Sequence, residues 1–277
     1  IIGVGISIGA LLGARAAAKL MHPLGPYGMM LVAAAILGAT ILITRVANRR
    51  ETARGPKDKA SDAEKPITGH GGFRLVTRDR YLLLIALLVV LLNVVNTSGE
   101  FLLGKMVVAE ASRVAGAGAE AAAARKVFIG EFYGNFFSWV NLAGMLLQMF
   151  LVSRIFHYAG VGGALFILPL IAFSGYSSMC VVPALAIIRL VKILENATDY
   201  SIQNTAQQAL FLPTSREAKY KAKAAIDTFF KRFGDVLAAA VVFAGTQLKL
   251  SLAAFAGITL SLTLVWLGVV LLIYREH

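Results

Sequence analysis

Apolar residues fill the chain in runs of about twenty, and short polar segments separate these runs. A helix rises about 1.5 Å per residue, so about twenty apolar residues cross the hydrocarbon core of a bilayer. The pattern therefore predicts eight membrane-spanning helices. Their approximate bounds are 1–20, 29–47, 81–104, 131–153, 161–180, 182–204, 224–248 and 252–274.

The longest polar stretch, 48–80, contains Gly, Pro and many charges and has no sustained apolar period, which is typical of a flexible linker. Two predicted spans precede it and six follow. We predict an all-α membrane protein with a major-facilitator-type helical bundle. Residues 1–47 would be the last two helices of an N-terminal bundle, 48–80 a linker and 81–277 a complete six-helix C-terminal bundle. Because Ile1 already lies in an apolar run, we expect an N-terminal truncation; a natural eight-span protein is the alternative.

Composition and charge agree with a membrane protein. Hydrophobic residues make up 58% of the chain and charged residues only 15%, against about 25% in an ordinary soluble domain. The net charge of +12 is concentrated in loops, where basic residues orient a membrane protein, so we expect no nucleic-acid partner. The basic residues of 45–80 and 216–223 predict a cytoplasmic linker and C-terminus. A bacterial inner membrane is the expected location.

Charged side chains also lie inside the predicted spans, where they are costly. Lys192, Glu195 and Asp199 are spaced three and four residues apart, so they share one helix face. Such a face borders protein or a water-filled path rather than lipid. The alternative is that these charges pair between helices and only fix packing, and an exposed i,i+4 pair is an equal alternative near 227–231. The candidate substrate-binding residues are Lys192, Glu195, Asp199, Arg189, Asp227, Lys231, Arg232, Asn96, Glu100 and Asn135.

The loop after the sixth predicted span contains "TSRE", which fits a capping box. In that motif Thr214 would accept the backbone N–H of Glu217, and Glu217 would reach back to Thr214. The basic turn that follows, "AKYKAKAA", suits an anionic lipid surface. It would equally attract an anionic substrate.

Residues 196–235, "NATDYSIQNTAQQALFLPTSREAKYKAKAAIDTFFKRFGD", resemble the ATP/ADP translocase (nucleotide transporter) family of bacteria and plastids. The resemblance rests on a Tyr-Ser pair, an aromatic-aliphatic-Pro step, spaced lysines, an "AID" element and an Arg-Xaa-Gly. The corresponding residues here are Tyr200-Ser201, Phe211-Leu212-Pro213, Lys219/Lys221/Lys223, Ala225-Ile226-Asp227 and Arg232-Phe233-Gly234. Gln207 and Gln208 stand where the family has Lys and Glu. The resemblance implies a major-facilitator fold and a nucleotide substrate.

We therefore predict a secondary transporter that moves an anionic metabolite, such as ATP or ADP, by alternating access. The alternative is a non-transporting scaffold or sensor that keeps the transporter fold. The chain has no Gly-rich phosphate loop, no His-Glu-Xaa-Xaa-His and no Cys/His metal cluster, so we expect neither an enzyme nor a metal or other cofactor. We expect a monomer in contact with the lipid bilayer.

Overall fold

Helices form all of the regular structure in residues 2–53, 71–116 and 121–276, which are the residues that the computed structural model describes. This confirms the predicted all-α class, whereas the major-facilitator arrangement stays a prediction. The α-helices are α1 (Ile2–Ala53), α2 (Gly72–Arg78), α3 (Arg80–Ala115), α4 (Ala121–Leu146), α5 (Val152–Ala164), α6 (Ile167–Val181), α7 (Leu185–Thr198), α8 (Asn204–Ala209), α9 (Lys223–Ala225), α10 (Lys231–Gln247) and α11 (Leu252–Glu276). Wider π-helical turns occupy Leu147–Leu151, Asp199–Gln203, Ala218–Ala222 and Ile226–Phe230.

Four helical segments of the described residues are long and apolar enough to cross a membrane, and together they make this a multi-pass membrane protein. They are Leu12–Val46, Arg80–Ala115, Ala121–Ala164 and Leu252–Glu276. The predicted fifth, sixth and seventh spans are helical too, but they are shorter or interrupted by π-helical turns. The third helix is longer than predicted, since α3 has 36 residues.

The predicted turn between the first two spans is a kink inside α1. Gly25 has φ 61° and ψ 179°, which glycine reaches without strain, and prolines flank it at 23 and 26. Helix α1 runs antiparallel to α4, because Met21 lies against Gly130 while Asn141 donates to the carbonyl of Ala10. The side chains of residues 33–46 are exposed.

Helix α3 lies at the centre of the bundle and packs against α4, α7, α10 and α11. Glycines allow several of these helices to approach closely, as small residues do in membrane bundles. A Cβ on Gly234 of α10 would lie 2.9 Å from both the Asn93 Cβ and the Val90 carbonyl oxygen of α3. One on Gly175 of α6 would lie 2.3 Å from Val191 of α7.

One end of the bundle gathers segments that the sequence predicts on a single side of the membrane. Arg80 at the start of α3 pairs with Glu276 at the end of α11, at 2.7 Å. The Tyr81 hydroxyl donates to the Leu210 carbonyl, which joins α3 to the loop before the π-helical turn at 218. Whether this end is cytoplasmic stays a prediction.

The last part of the predicted linker is ordered as α2. Phe73 of α2 stacks on Phe230, with ring centroids 5.6 Å apart, and meets Phe229 edge-on. The close approach at Gly72, where a Cβ would lie 2.2 Å from the Lys221 carbonyl oxygen, fixes α2 on the bundle. The sequence pattern missed this helix because seven residues are too few to show a period. Residues 54–70 of the predicted linker lie outside the described residues.

The predicted capping box is wrong by one position. Ser215, not Thr214, accepts the backbone N–H, from Ala218 at 3.3 Å. The Thr214 hydroxyl instead donates to the Phe211 carbonyl. Glu217 pairs with Lys221 one turn later, so it does not reach back to the start of the helix.

Candidate functional site

A buried ion cluster lies where α3, α6 and α7 meet, and Lys192 is its centre. The Lys192 side chain is 0% exposed, and its ammonium lies 2.9 Å from Glu195 and 3.4 Å from Glu100. It also donates to the side-chain and backbone oxygens of Asn96. Two carboxylates and two further oxygens therefore surround one ammonium, which is the partnering that a buried charge requires.

Glu195 is held from the opposite side by α6. The Tyr176 hydroxyl donates to Glu195 Oε2 at 3.2 Å, and both side chains are buried. Gly99 of α3 makes this approach possible, because a Cβ there would lie 2.0 Å from the Tyr176 hydroxyl oxygen and 3.1 Å from Lys192 Cδ. The missing side chain at residue 99 is thus part of the geometry of the cluster.

The cluster reaches the surface at Glu100. Its side chain is 35% exposed, whereas that of Glu195 is 4% exposed. Asn196 donates to Glu100 Oε1 at 3.0 Å, so α3 and α7 are joined by an amide as well as by the ion pair. Glu100 is therefore the carboxylate of this cluster that water can reach.

Several buried polar atoms on or beside α7 have no hydrogen-bond partner among the described residues. They are Glu195 Oε1, both amide atoms of Gln203, the Ser98 hydroxyl and the Trp266 indole nitrogen. Gln203 ends the π-helical turn that begins at Asp199, and this turn lies against the π-helical turn 147–151. Insertions of this kind are frequent at functional sites of helical proteins. Unpaired buried groups destabilise this conformation relative to one in which they find partners.

A second candidate site, the α1–α4 groove, is lined by Arg15, Ala18, Lys19, Asn135, Ser138, Trp139 and Leu142. Its volume is about 460 Å³, within the range of small-molecule sites. The segment "GEFYG" of α4 brings the helices together, because a Cβ on Gly134 would lie 2.6 Å from that of Ala18. Such glycine pairs four residues apart are a common packing device in membrane helices.

The chemistry of the α1–α4 groove suits an anion with an aromatic part. Arg15 and Lys19 are one helical turn apart, so both side chains project from the same face of α1. Among the described residues, those that line the groove include these two cations and no carboxylate. Trp139 is 53% exposed and offers an indole face for stacking.

Arg189 connects the groove to the buried ion cluster. It donates to Asn135 Oδ1 at 3.1 Å and lies over the ring of Phe132. It also precedes Lys192 by three residues on α7, so both cations lie on neighbouring positions of one face. Cationic groups thus continue from the groove towards the buried ion cluster.

The structure brings together only part of the predicted site. The buried ion cluster contains four of the predicted residues, namely Asn96, Glu100, Lys192 and Glu195. Asp199 lines an adjoining cavity. Arg189 is hydrogen-bonded to Asn135. The remaining three predicted residues lie on the π-helical turn before α10 and on α10 itself. Asp227 pairs with Lys223, Arg232 pairs with Asp235 at 3.3 Å, and Lys231 is exposed. Their role in substrate binding stays a prediction.

Sequence reasoning missed Arg15, Lys19, Tyr176 and Trp266. Arg15 and Lys19 lie near the end of the first predicted span, and α1 continues through both residues. Their four-residue spacing, together with the glycine pair in α4, was the available signal. Tyr176 and Trp266 had none, because an aromatic residue in an apolar helix is usually part of the core.

The sequence of the family's domain is found in the C-terminal part of the chain. Residues 118–277 match the family described as TLC ATP/ADP transporter. No curated protein gives a significant match. No solved structure does either. The matched region begins just before α4 and includes α7, so it covers one wall of the groove and half of the buried ion cluster.

Proposed function

This chain belongs to the TLC ATP/ADP transporter family, and from that premise we propose that it exchanges ATP-like and ADP-like nucleotides across a membrane by alternating access. Membership makes the protein a nucleotide transporter. The exchange mechanism and the site assignments below are the proposal.

The observation that carries the proposal is the α1–α4 groove. A nucleotide polyphosphate needs cations for its phosphates and an aromatic face for its base. Arg15 and Lys19 supply the cations, and Trp139 supplies the face. Arg189 is hydrogen-bonded to the groove residue Asn135 and provides a further cation beside the groove.

The position of the groove fits a transporter made of two halves. If residues 1–47 belong to one half and 81–277 to the other, the antiparallel contact of α1 with α4 joins the two halves. Substrate sites of such transporters lie between their repeats, near the middle of the bilayer. Rocking of one half against the other would then open the groove to each side in turn.

The buried ion cluster serves as the switch in this proposal. In the present conformation Lys192 is occupied by two carboxylates, so it is not free for a phosphate. An incoming phosphate near Arg189 would compete for Lys192 and release Glu195. Glu195 Oε1 and the side-chain amide of Gln203 have no hydrogen-bond partner among the described residues. Both groups are therefore available for new hydrogen bonds when the partners of the cluster change.

Nucleotide exchange by the full-length protein in proteoliposomes tests the proposal. We expect labelled ATP to enter in exchange for internal ADP. Arg15→Ala and Lys19→Ala should each raise the KM by about tenfold or more, because a hydrogen bond to a charged group contributes about 1.5–3 kcal/mol. Arg113→Ala is the matched control, since Arg113 is an exposed cation paired with Glu110 at the end of α3.

Two results would contradict the proposal in different ways. Unchanged KM values in both groove variants would remove the groove as the substrate site. If the folded wild-type protein neither binds nor exchanges any nucleotide, alternating-access exchange is wrong and the scaffold or sensor hypothesis gains support.

A further inference from the structure

A polar hollow lies at the end of the bundle where α2, the start of α3, the end of α11 and the loop after α8 meet. We call it the α2 hollow, and its wall includes Leu75, Arg78, Arg80, Thr214, Ser215 and Glu276. Its volume is about 680 Å³, within the range of sites that hold small molecules. The proposed nucleotide exchange uses none of this space.

Two helix ends place the α2 hollow at the level of the lipid headgroups. Arg80 directly precedes the apolar run of α3, and Glu276 follows that of α11. Both helices are long and apolar enough to cross a membrane. The apolar run of such a helix spans the hydrocarbon core, so the charged residue at its end lies in the headgroup layer. Arg80 and Glu276 pair with each other and both line the hollow, which therefore lies in this layer.

Helix α2 holds Arg78 in the wall of the hollow. The Phe73 ring stacks on Phe230, and Gly72 lies so close to the Lys221 carbonyl that a Cβ there would not fit. These contacts attach a helix of only seven residues to the bundle. The position of Arg78 in its last turn is therefore set by packing.

The charges at this end of the bundle leave an excess of cations. Residues 71–80 and 214–227 contain seven Lys and Arg but three Asp and Glu. Each of these three carboxylates already has a partner: Asp79 caps α3, Glu217 pairs with Lys221 and Asp227 pairs with Lys223. Arg78 and Lys219 are exposed and form no ion pair with any residue that the structure describes. An anion that enters the hollow therefore meets a guanidinium without a competing carboxylate.

We propose that the α2 hollow binds the headgroup of an anionic phospholipid. The Arg78 guanidinium donates to the phosphate oxygens, whose geometry its planar fork matches. The Ser215 oxygen accepts from the Ala218 backbone N–H, so its own hydrogen is left to donate to the headgroup. Leu75, Leu82 and Pro213 give the hollow an apolar wall for the glycerol part of the lipid. The level of the hollow and this apolar wall favour a lipid over a soluble phosphate, and the site does not rest on the proposed function.

Native mass spectrometry of the folded, full-length protein in detergent tests the site. We expect phosphatidylglycerol, which carries a net negative charge, to bind about tenfold or more tightly than phosphatidylcholine, whose headgroup is neutral overall. Arg78→Gln should weaken the binding of phosphatidylglycerol by about tenfold or more, because it removes a charged hydrogen-bond donor. Arg78→Lys keeps the charge and should retain part of the affinity. Both variants should unfold at the wild-type midpoint, because Arg78 is exposed.

Arg113→Gln is the matched control, because Arg113 is an exposed cation near the opposite end of α3 and should leave the lipid affinity unchanged. Equal affinities of the wild-type protein for the two lipids overturn the proposal, and so does an undiminished affinity of Arg78→Gln for phosphatidylglycerol. Inorganic phosphate that displaces the lipid, where potassium chloride of equal ionic strength does not, would assign the hollow to a soluble phosphate instead. These measurements need no nucleotide, so their failure is distinct from a failure of nucleotide exchange.

Discussion

Two sets of charges in this protein have the same spacing in sequence and opposite surroundings in space. The buried ion cluster contains Lys192 and Glu195, three residues apart on α7. Arg232 and Asp235 on α10 are also three residues apart. The first pair is 0% and 4% exposed and has partners on two other helices, whereas the second is 82% and 37% exposed and joins one turn of its own helix.

The comparison shows that spacing decides which charges can meet and burial decides what their meeting contributes. An exposed pair contributes about 0–1 kcal/mol, because water screens it and two long side chains lose freedom. A buried pair is different, since removing one partner leaves a charge without solvent and costs about 3–5 kcal/mol. Substitutions in the buried ion cluster should therefore change stability and transport together. Substitutions of the exposed charges on α10 should leave stability nearly unchanged, so that an effect on transport can be measured alone.

Lys192→Met should have the largest effect of any single change discussed here. It leaves the Glu195 side chain, which is 4% exposed, without its cation, so we expect a loss of about 3–5 kcal/mol of unfolding free energy and a loss of nucleotide exchange. Unfolding in detergent, followed by helical circular dichroism, and uptake in proteoliposomes measure the two effects. The double variant Lys192→Met/Glu195→Gln removes both charges and should recover most of the stability without recovering exchange.

Lys223→Met is the control for this prediction, because Lys223 pairs with Asp227 one turn away on the surface. It should unfold close to the wild-type midpoint. Equal midpoints for Lys192→Met and wild type would mean that the cluster is hydrated, and the contrast between the two regions would fail.

Gly99→Ala should have the next largest effect. The new methyl group would lie 2.0 Å from the Tyr176 hydroxyl, so α3 and α6 must separate or the tyrosine must leave Glu195. Overpacking of this kind costs about 1–3 kcal/mol, and we expect the upper end because the cluster is disturbed as well. Gly104→Ala on the same helix is the control, since its nearest neighbour, the Tyr133 hydroxyl, lies at an ordinary 3.5 Å.

The hydroxyl of Tyr176 allows a second check. In the double variant Gly99→Ala/Tyr176→Phe the clashing oxygen is absent, so part of the lost stability should return. If the double variant is less stable than Gly99→Ala alone, the clash is not the cause of the loss.

Gly134→Ala should have a smaller effect on stability and a clear one on substrate binding. A methyl group there would lie 2.7 Å from the Ala18 Cα, and α1 must move outward by a fraction of an ångström. We expect a loss of about 1 kcal/mol and a raised KM for nucleotide, because Arg15 and Lys19 move with α1. Gly144→Ala is the control on α4, since its nearest neighbour is 3.7 Å away. A lower or unchanged KM in Gly134→Ala would show that the groove does not depend on this contact.

The sequence predicts the helices of this protein better than their ends. Apolar runs mark where helices form, because the requirement is set by the thickness of a bilayer. They do not mark the ends of α3 and α4, because both helices continue past the apolar runs into polar residues. Short α2 escaped prediction because its order comes from Phe73 stacking on the turn at 226–230, a contact between distant parts of the chain.

The sequence predicts the part of the candidate site that lies on one face of α7. Lys192 and Glu195 were expected to share a face, and they meet. Which other helices supply partners depends on packing, and Gly99 decides that Tyr176 reaches Glu195. Arg232 and Asp235 on α10 have the same three-residue spacing as Lys192 and Glu195. The sequence pattern therefore does not distinguish the two pairs, although Arg232 and Asp235 lie outside the buried ion cluster.

Arg232→Ala should have the smallest effect on stability. It therefore distinguishes most clearly between a charge that stabilises the fold and a charge that binds substrate. The pair with Asp235 is exposed and 3.3 Å long, so we expect less than about 1 kcal/mol of lost unfolding free energy. Because the fold is kept, any change in nucleotide exchange then reports on the predicted substrate role of Arg232 alone. Exchange at the wild-type rate and KM would remove Arg232 from the binding residues, and a raised KM at unchanged stability would support its role. A large loss of stability would contradict the assignment of this pair to the surface, because removing an exposed charge leaves no buried charge without a partner.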